Sequence, residues 1–317
     1  MNKKITRRAV LGTAIAGLVA APLVVRGFRS QKPNFPCPHR DNWVAALERF
    51  EVKVEDFVGP PTFDLQFSLK QGTEFKAEFL GSNSFQGQLV PSRTNVPNWF
   101  TTSDGIVVAR LERGLTYFHV TASPVKTHLS QNPNEQSGGE NFVFVFKEGM
   151  FDSIRLPNGN SKVASDCLKE PMSLPVASHD YFNLFCLDIP QRTQLRIGTR
   201  WTIPAGGIYQ YDFPCEISKI LVINGRPSVQ IQSLIKQEDF RKNPVIDLLP
   251  DTRDYAEMKE ALLASKVREN CTIYTYIDME TGLTVRRESH GKSETQVRNG
   301  AIEIATNLHI AQVTLST

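Results

Sequence analysis

Beyond its first 30 residues this 317-residue chain has no long hydrophobic run, no block of like charge and only five cysteines. The first absence excludes a polytopic helical membrane protein, in which each span needs about 20 apolar residues. The second argues against a nucleic-acid partner, which would call for a basic patch. The formal charge of +3 is a property of the leader. Lys3, Lys4, Arg7, Arg8, Arg26 and Arg29 stand there without an acidic residue, and the remaining 30 basic and 33 acidic residues leave the body at −3. Arg286-Arg287 is the longest basic run in that body, and a solvated strand face accounts for it. Cys37, Cys167, Cys186, Cys215 and Cys271 make no C-x-x-C, the spacing a dithiol redox or zinc-ribbon site needs. Cys215 and Cys271 each open a strand-like run, so they are expected either side by side in a sheet or as buried free thiols.

Motifs that would name a reaction are also missing. There is no G-x-G-x-x-G, no P-loop, no G-x-S-x-G and no H-E-x-x-H. Two S-x-x-K matches, Ser123-Pro124-Val125-Lys126 and Ser289-His290-Gly291-Lys292, lack their S-D-N and K-T-G companions and occur at the chance rate. The second is expected in a turn. The six histidines, His39, His119, His128, His179, His290 and His309, show no i, i+4 pair. His119, His128 and His179 become acid–base candidates only if a carboxylate meets them in a cleft. The sequence therefore assigns no catalytic residue and no metal ligand, implies no cofactor, and favours a non-enzyme.

What is present first is an export leader. A basic stretch up to Arg8 meets the apolar run Ala9–Val25, closed by Arg26. Within it Thr6-Arg7-Arg8-Ala9-Val10-Leu11 follows the twin-arginine pattern, and the mild run with its Gly12 and Gly17 suits that route. At 17 residues it also meets the lower spanning limit of about 17, so residues 1–30 read as an export signal or an N-terminal anchor. The expected location is the periplasm or cell envelope. Residues 31–40 (QKPNFPCPHR) are a linker.

From 41 to 317 the pattern is that of one β-rich domain, or of two halves, 41–156 and 193–317. Asp41 is expected to cap a short helix bearing Trp43, Leu47 and Phe50 on one face. The period then changes to two: Phe63, Leu65, Phe67 and Leu69 alternate with Asp64, Gln66, Ser68 and Lys70, the signature of a strand with one buried face. Gln71-Gly72 turns the chain into Phe75, Ala77 and Phe79. Strands follow at 106–111, 115–122, 141–147 and 151–156, with turns at Ser103-Asp104-Gly105 and Glu112-Arg113-Gly114. Residues 127–140 read as a mobile surface loop and 157–192 as irregular, with Pro157, Pro171, Pro175 and Pro190. Asn224-Gly225 between apolar runs predicts a type I′ hairpin, lengthened if Pro227 intrudes. A helix is expected over 251–266, a second hairpin around Glu280-Thr281-Gly282, and a closing strand over 301–315. The expected fold is mainly β: an antiparallel sheet, half-barrel or sandwich, with two short helices and no βαβ unit.

Thirteen of the nineteen phenylalanines lie between Phe50 and Phe151. In a closed sandwich the apolar side of the early strands, Phe63, Leu65, Phe67, Phe75 and Phe79, is plain core. In a curved sheet folded over its helices the same five residues line a cavity for a hydrophobic ligand.

The run Tyr274-Thr275-Tyr276-Ile277-Asp278-Met279-Glu280-Thr281-Gly282-Leu283-Thr284-Val285-Arg286 resembles a hairpin of the periplasmic lipoprotein-carrier (outer-membrane lipoprotein-sorting) superfamily. The order of an N-terminal helix, Phe-rich strands and Ser103-Asp104-Gly105 is similar too. The resemblance covers 41–122 and 251–315, while 123–205 and the leader depart from it. It implies a half-barrel of antiparallel strands closed by helices around an acyl-chain cavity. The first functional expectation is thus a non-enzymatic carrier or sensor of a hydrophobic, lipid-like molecule. The second is an envelope structural or protein-interaction module with a solid core, binding its partner through 127–140. The third is an exported hydrolase or redox enzyme.

Overall fold

The computed structural model describes residues 40–65, 67–86, 97, 99–129, 133–136, 139–147, 150–163, 176–185, 193–203, 212–242, 256, 259–260, 263–296 and 300–315. The leader, His39 and most of the linker lie outside them.

Period-two alternation dominates, and long strands are its product. Helix α1 (Arg40–Glu48) precedes β1 (Val54–Asp56), β2 (Thr62–Phe63), β3 (Glu74–Gln86), β4 (Trp99–Glu112), β5 (Leu115–Ala122), β6 (Lys126–Leu129) and β7 (Pro133–Gln136). Next come β8 (Glu140–Lys147), β9 (Met150–Arg155), β10 (Ser161–Val163), helix α2 (Val176–Phe185), β11 (Leu195–Arg196) and β12 (Arg200–Ile203). The chain continues with β13 (Phe213–Ile223), β14 (Arg226–Lys236), β15 (Arg241–Lys242), β16 (Lys266–Asp278), β17 (Thr284–Gln296) and β18 (Ile302–Leu315). Among the described residues sixteen of these strands form one antiparallel sheet; twelve follow the order β1-β13-β14-β16-β17-β18-β3-β4-β5-β8-β9-β10, and off this path β12 pairs with β13, β15 with β16, β6 with β4, and β7 with β6. The path is open, ending at β1 and β10, and is not closed into a barrel. The two halves of the chain meet where β18 pairs with β3, from Ile304 opposite Gln86 to Leu315 opposite Phe75.

One face of the sheet, here the outer face, carries α1. Trp43, Ala46 and Phe50 pack on Leu80, Phe100 and Ile310. Trp43 and Phe100 are tilted rings 5.3 Å apart. The helix begins at Arg40, so Asp41 lies in its first turn rather than capping it. The buried guanidinium of Arg286 donates to the Phe50 carbonyl at 2.6 Å and to Gln312 Oε1 at 2.7 Å. Arg286 is thus a tie between helix and sheet and not part of a solvated basic run. Its Nε also donates to Glu288 at 2.5 Å.

Several expectations are corrected. Ser103-Asp104-Gly105 is no turn; it lies inside β4, with Gly105 between Ala77 of β3 and Ala122 of β5. A Cβ on Gly105 would stand 2.1 Å from the Tyr181 hydroxyl and 2.6 Å from the Thr121 carbonyl. Glycine serves here to admit a close neighbour, a role it has in strands as often as turning the chain. Strands β6 and β7 pair with one another, and β6 is added to β4. The expected mobile loop is therefore strand over most of its described length. The irregular stretch 157–192 contains β10 and α2. The helix expected over 251–266 is borne out where it is described: residues 256, 259–260 and 263 are helical and the Ala264 N–H donates to the Glu260 carbonyl at 3.2 Å, and β16 begins at Lys266. Cys215 and Cys271 do not lie side by side, because β14 runs between their strands. Both are buried thiols.

The Asn224-Gly225 turn is as tight as its residues allow. Ile223 opposes Arg226 directly, and both central residues have positive φ, 50° and 81°, as type I′ requires. Pro227 does not lengthen the loop.

The run Phe63–Leu69 keeps its alternation but is not a paired strand. Only Thr62–Phe63 pairs, with the short β11. Residues 64–65 and 67–70 form an extended strap across the inner face. Phe63 and Leu65 enter one apolar cluster, while Phe67 and Leu69 lean on another. A backbone bond, Ser68 N–H to the Thr281 carbonyl at 3.0 Å, ties it to the turn between β16 and β17. Alternating burial needs only an extended backbone over an apolar surface, so periodicity alone does not reveal whether a neighbour strand is present.

The inner face as candidate functional site

The inner face carries two apolar clusters. The aromatic one lies on β3, β4, β5, β8, β9 and β18 and includes Phe75, Phe79, Phe118, Phe142, Phe144 and Phe146. The aliphatic one lies on β13, β14 and β16, with Ile217, Val229, Ile231, Ile273 and Ile277. Of the five residues expected to line a cavity, Phe75 and Phe79 belong to the aromatic cluster and Phe67 packs on its edge. Phe63 and Leu65 belong to the aliphatic cluster. The strap runs from one set to the other.

Helix α2 roofs the aromatic cluster. Ser178, Tyr181, Leu184 and Phe185 recur at helical spacing directly after Pro175, a signal that could have revealed the helix in the stretch read as irregular. The small residues Ala77, Gly105 and Ala122 form a trough across three strands. The Tyr181 ring lies in it, 4.7 Å from Phe79 and 5.5 Å from Phe142. Burial pushes the Tyr181 phenol far above its usual range, helped by Asp180 and Asp104. This hydroxyl is therefore no proton donor near neutral pH. Phe185 packs against Phe75 and Phe118 at 5.7 and 5.1 Å. The half-buried Phe67, Phe151 and Phe185 make an aromatic rim around this end of the cluster.

A polar tie completes the roof. His309 Nε2 and Asp180 Oδ1 are 3.2 Å apart, joining β18 to α2. This is the histidine–carboxylate pair on the inner face, and it does not involve the histidines singled out from the sequence. His119 is on β5, where burial and the charges of Arg110 and Arg155 hold its imidazole below its usual range. His128 stacks on Phe100 at 4.3 Å, on the outer face. The side chain of His179 lies outside the described residues. His290 is on the outer face near Glu288. The Ser289–Lys292 match lies within β17, not in a turn. Three residues apart on a strand, its two ends point to opposite faces, and Lys292 bonds Glu294 at 2.8 Å.

The thiols are held in their neutral form. Burial raises both the Cys215 and Cys271 values, against the lowering effect of Ser233 and Ser289 respectively, whose hydroxyls lie 3.1 and 3.3 Å away. The Arg287 charge acts on both in the lowering direction without overcoming burial. Neither has the exposed, electropositive setting of a reactive cysteine.

The outer face is where charge supports stability. His290, Arg286 and burial act on Glu288, and the net effect holds its carboxyl below the usual range. Lys292 and Arg268 do the same for Glu294. A carboxylate depressed in the folded state stabilises it above the unfolded value, and that stability is lost as pH falls through the folded one. The melting temperature is therefore expected to drop on acidification from about pH 5 downward, with a shallower slope in Glu294→Gln. Identical slopes would show that Glu294 contributes nothing.

Among the described residues no group of three metal-ligating side chains converges. No described helix is long and apolar enough to cross a membrane. No family model matches the chain, and no curated protein matches it. Among solved structures, an outer membrane channel from Pseudomonas putida F1 aligns at 10% identity with a TM-score of 0.20, covering 81% of this chain and 100% of that one. OpdQ of Pseudomonas aeruginosa aligns at 8% identity with a TM-score of 0.15, covering 84% and 62%. Likeness at that level carries no argument about this chain.

Proposed function

We propose that the protein is an exported envelope carrier or sensor that holds a hydrophobic molecule against the inner face of its sheet. One observation carries the reading. Among the described residues the larger of the two inner-face apolar clusters is roofed by a ten-residue helix and an unpaired strap, and no second sheet covers it. A roof with few backbone hydrogen bonds to the sheet opens at low cost compared with unzipping a strand. The half-buried rim of Phe67, Phe151 and Phe185 is the place of entry. The leader and the resemblance to lipoprotein carriers point the same way.

A second reading, an interaction module with a solid core, is favoured by the close ring spacing under α2. Native mass spectrometry on the full chain, purified without detergent, followed by solvent extraction and titration with the dye N-phenyl-1-naphthylamine, separates the two. The carrier reading expects a co-purifying lipid-sized mass or dye uptake, reduced in a folded Phe67→Asp variant. A clean apo mass that takes up no dye would leave the solid-core module as the reading.

A further inference from the structure

Between the two apolar clusters the inner face is polar, and the strand register arranges that strip in rows. Trp99, Asn83, Asn307 and Gly291 are successive cross-strand partners over β4, β3, β18 and β17. Thr101, Gly81, His309 and Ser289 form the next row. The glycines let polar groups lie flat on the sheet. A Cβ at Gly291 would stand 2.3 Å from Asn307 Oδ1, and one at Gly81 would stand 3.0 Å from Thr101 Oγ1. Trp99 is only 7% exposed, yet its indole N–H has no hydrogen-bond partner among the described residues. A buried donor without an acceptor carries its full desolvation cost, and such sites call for a cause.

We infer that these two rows seat the polar head of an amphiphile, and that the head is neutral and oxygen-bearing, a hydroxyl or an ester. The inference rests on the ligand reading above and specifies its polar end. The groups in the rows are amides, hydroxyls and an indole N–H; the one ionisable member, His309, already faces Asp180. Arg287, in the following row, acts on the Cys215 and Cys271 thiols, on the β16 side and away from Trp99. Among the described residues of these rows a charged head at Trp99 would thus meet no counter-charge, which is costly, whereas a carbonyl or hydroxyl oxygen satisfies the indole N–H. From Asn83 the tail runs up β3 over Gly81 to Phe79, about 13 Å along the strand, and so reaches the aromatic cluster.

The test uses the full chain and displacement of N-phenyl-1-naphthylamine by monopalmitoylglycerol, palmitate and hexadecane. Monopalmitoylglycerol is expected to displace the dye at about a tenfold lower concentration than either of the others. Trp99→Phe, which keeps a ring and deletes the N–H, is expected to remove about five- to tenfold of that advantage, read as the ratio of monopalmitoylglycerol to hexadecane displacement within the same variant. Equal displacement by all three, preference for palmitate, or a Trp99→Phe variant with the advantage intact would overturn the neutral-head site and leave the carrier reading standing. Failure of the wild-type chain to bind dye or any of the three would overturn both.

Discussion

Asp278→Ala is expected to cost about 2–4 kcal/mol of folding stability, because a fully buried carboxylate holding several donors is lost, while its arginine, 36% exposed, remains open to water. The Asp278 side chain is 0% exposed. Its Oδ2 accepts from Arg226 Nε and Nη2 at 2.8 and 2.6 Å and from Thr281 Oγ1 at 3.0 Å, while Oδ1 accepts the Glu280 N–H at 2.9 Å. The loop it organises is a junction. Met279 N–H reaches the Pro227 carbonyl of the neighbouring hairpin, Thr281 offers its carbonyl to the strap, and Leu283 enters the aromatic cluster. Removing the carboxylate takes the acceptor from a guanidinium and two other donors at once. Glu280, whose carboxylate is 68% exposed and 3.5 Å from the same arginine, provides the control: Glu280→Ala should stay within about 0.5 kcal/mol. Urea unfolding of the two variants decides. A change below about 1 kcal/mol for Asp278→Ala would mean that the turn is held by its backbone alone.

Phe118→Ala should be about as damaging, at roughly 3–5 kcal/mol. Phe118 is fully buried, with Phe67, Phe75, Phe146 and Phe185 around it at 5.1–5.9 Å. Those rings come from the strap, two strands and α2, so truncation leaves a cavity that no single element can collapse into. Phe151 belongs to the half-buried rim, and Phe151→Ala should cost clearly less because water can fill its place. Equal losses at the two positions would show that the rim is as tightly packed as the centre, which would count against entry there. The comparison therefore bears on the carrier reading as well as on stability.

The Asp-x-x-Thr-Gly run that carries the family resemblance is, in this fold, an architectural device. Its acidic residue is consumed by Arg226 and by the turn's own donors, so the motif holds a junction together and contributes no group to a ligand. The inner-face features with chemical interest, the Trp99 rows and the His309–Asp180 pair, carry no local signature. Asp180 and His309 are far apart in the chain, and Trp99, Asn83 and Asn307 become neighbours only through strand register.

By itself the sequence determined the β class, the antiparallel character, the type I′ turn at Asn224-Gly225, the α1 face and the burial of alternate residues from Phe63 to Leu69. Each is a local consequence of side-chain period or turn chemistry, and a short window contains the information. Only the tertiary structure decided which partner each extended segment has. It made a strap of 64–65 and 67–70, and one open sheet of two halves. It also placed Ser103-Asp104-Gly105 in the floor of a trough and divided the five expected lining residues between two clusters. Register and layer order depend on residues hundreds of positions apart, and a small residue reads the same whether it turns the chain or admits a tyrosine ring.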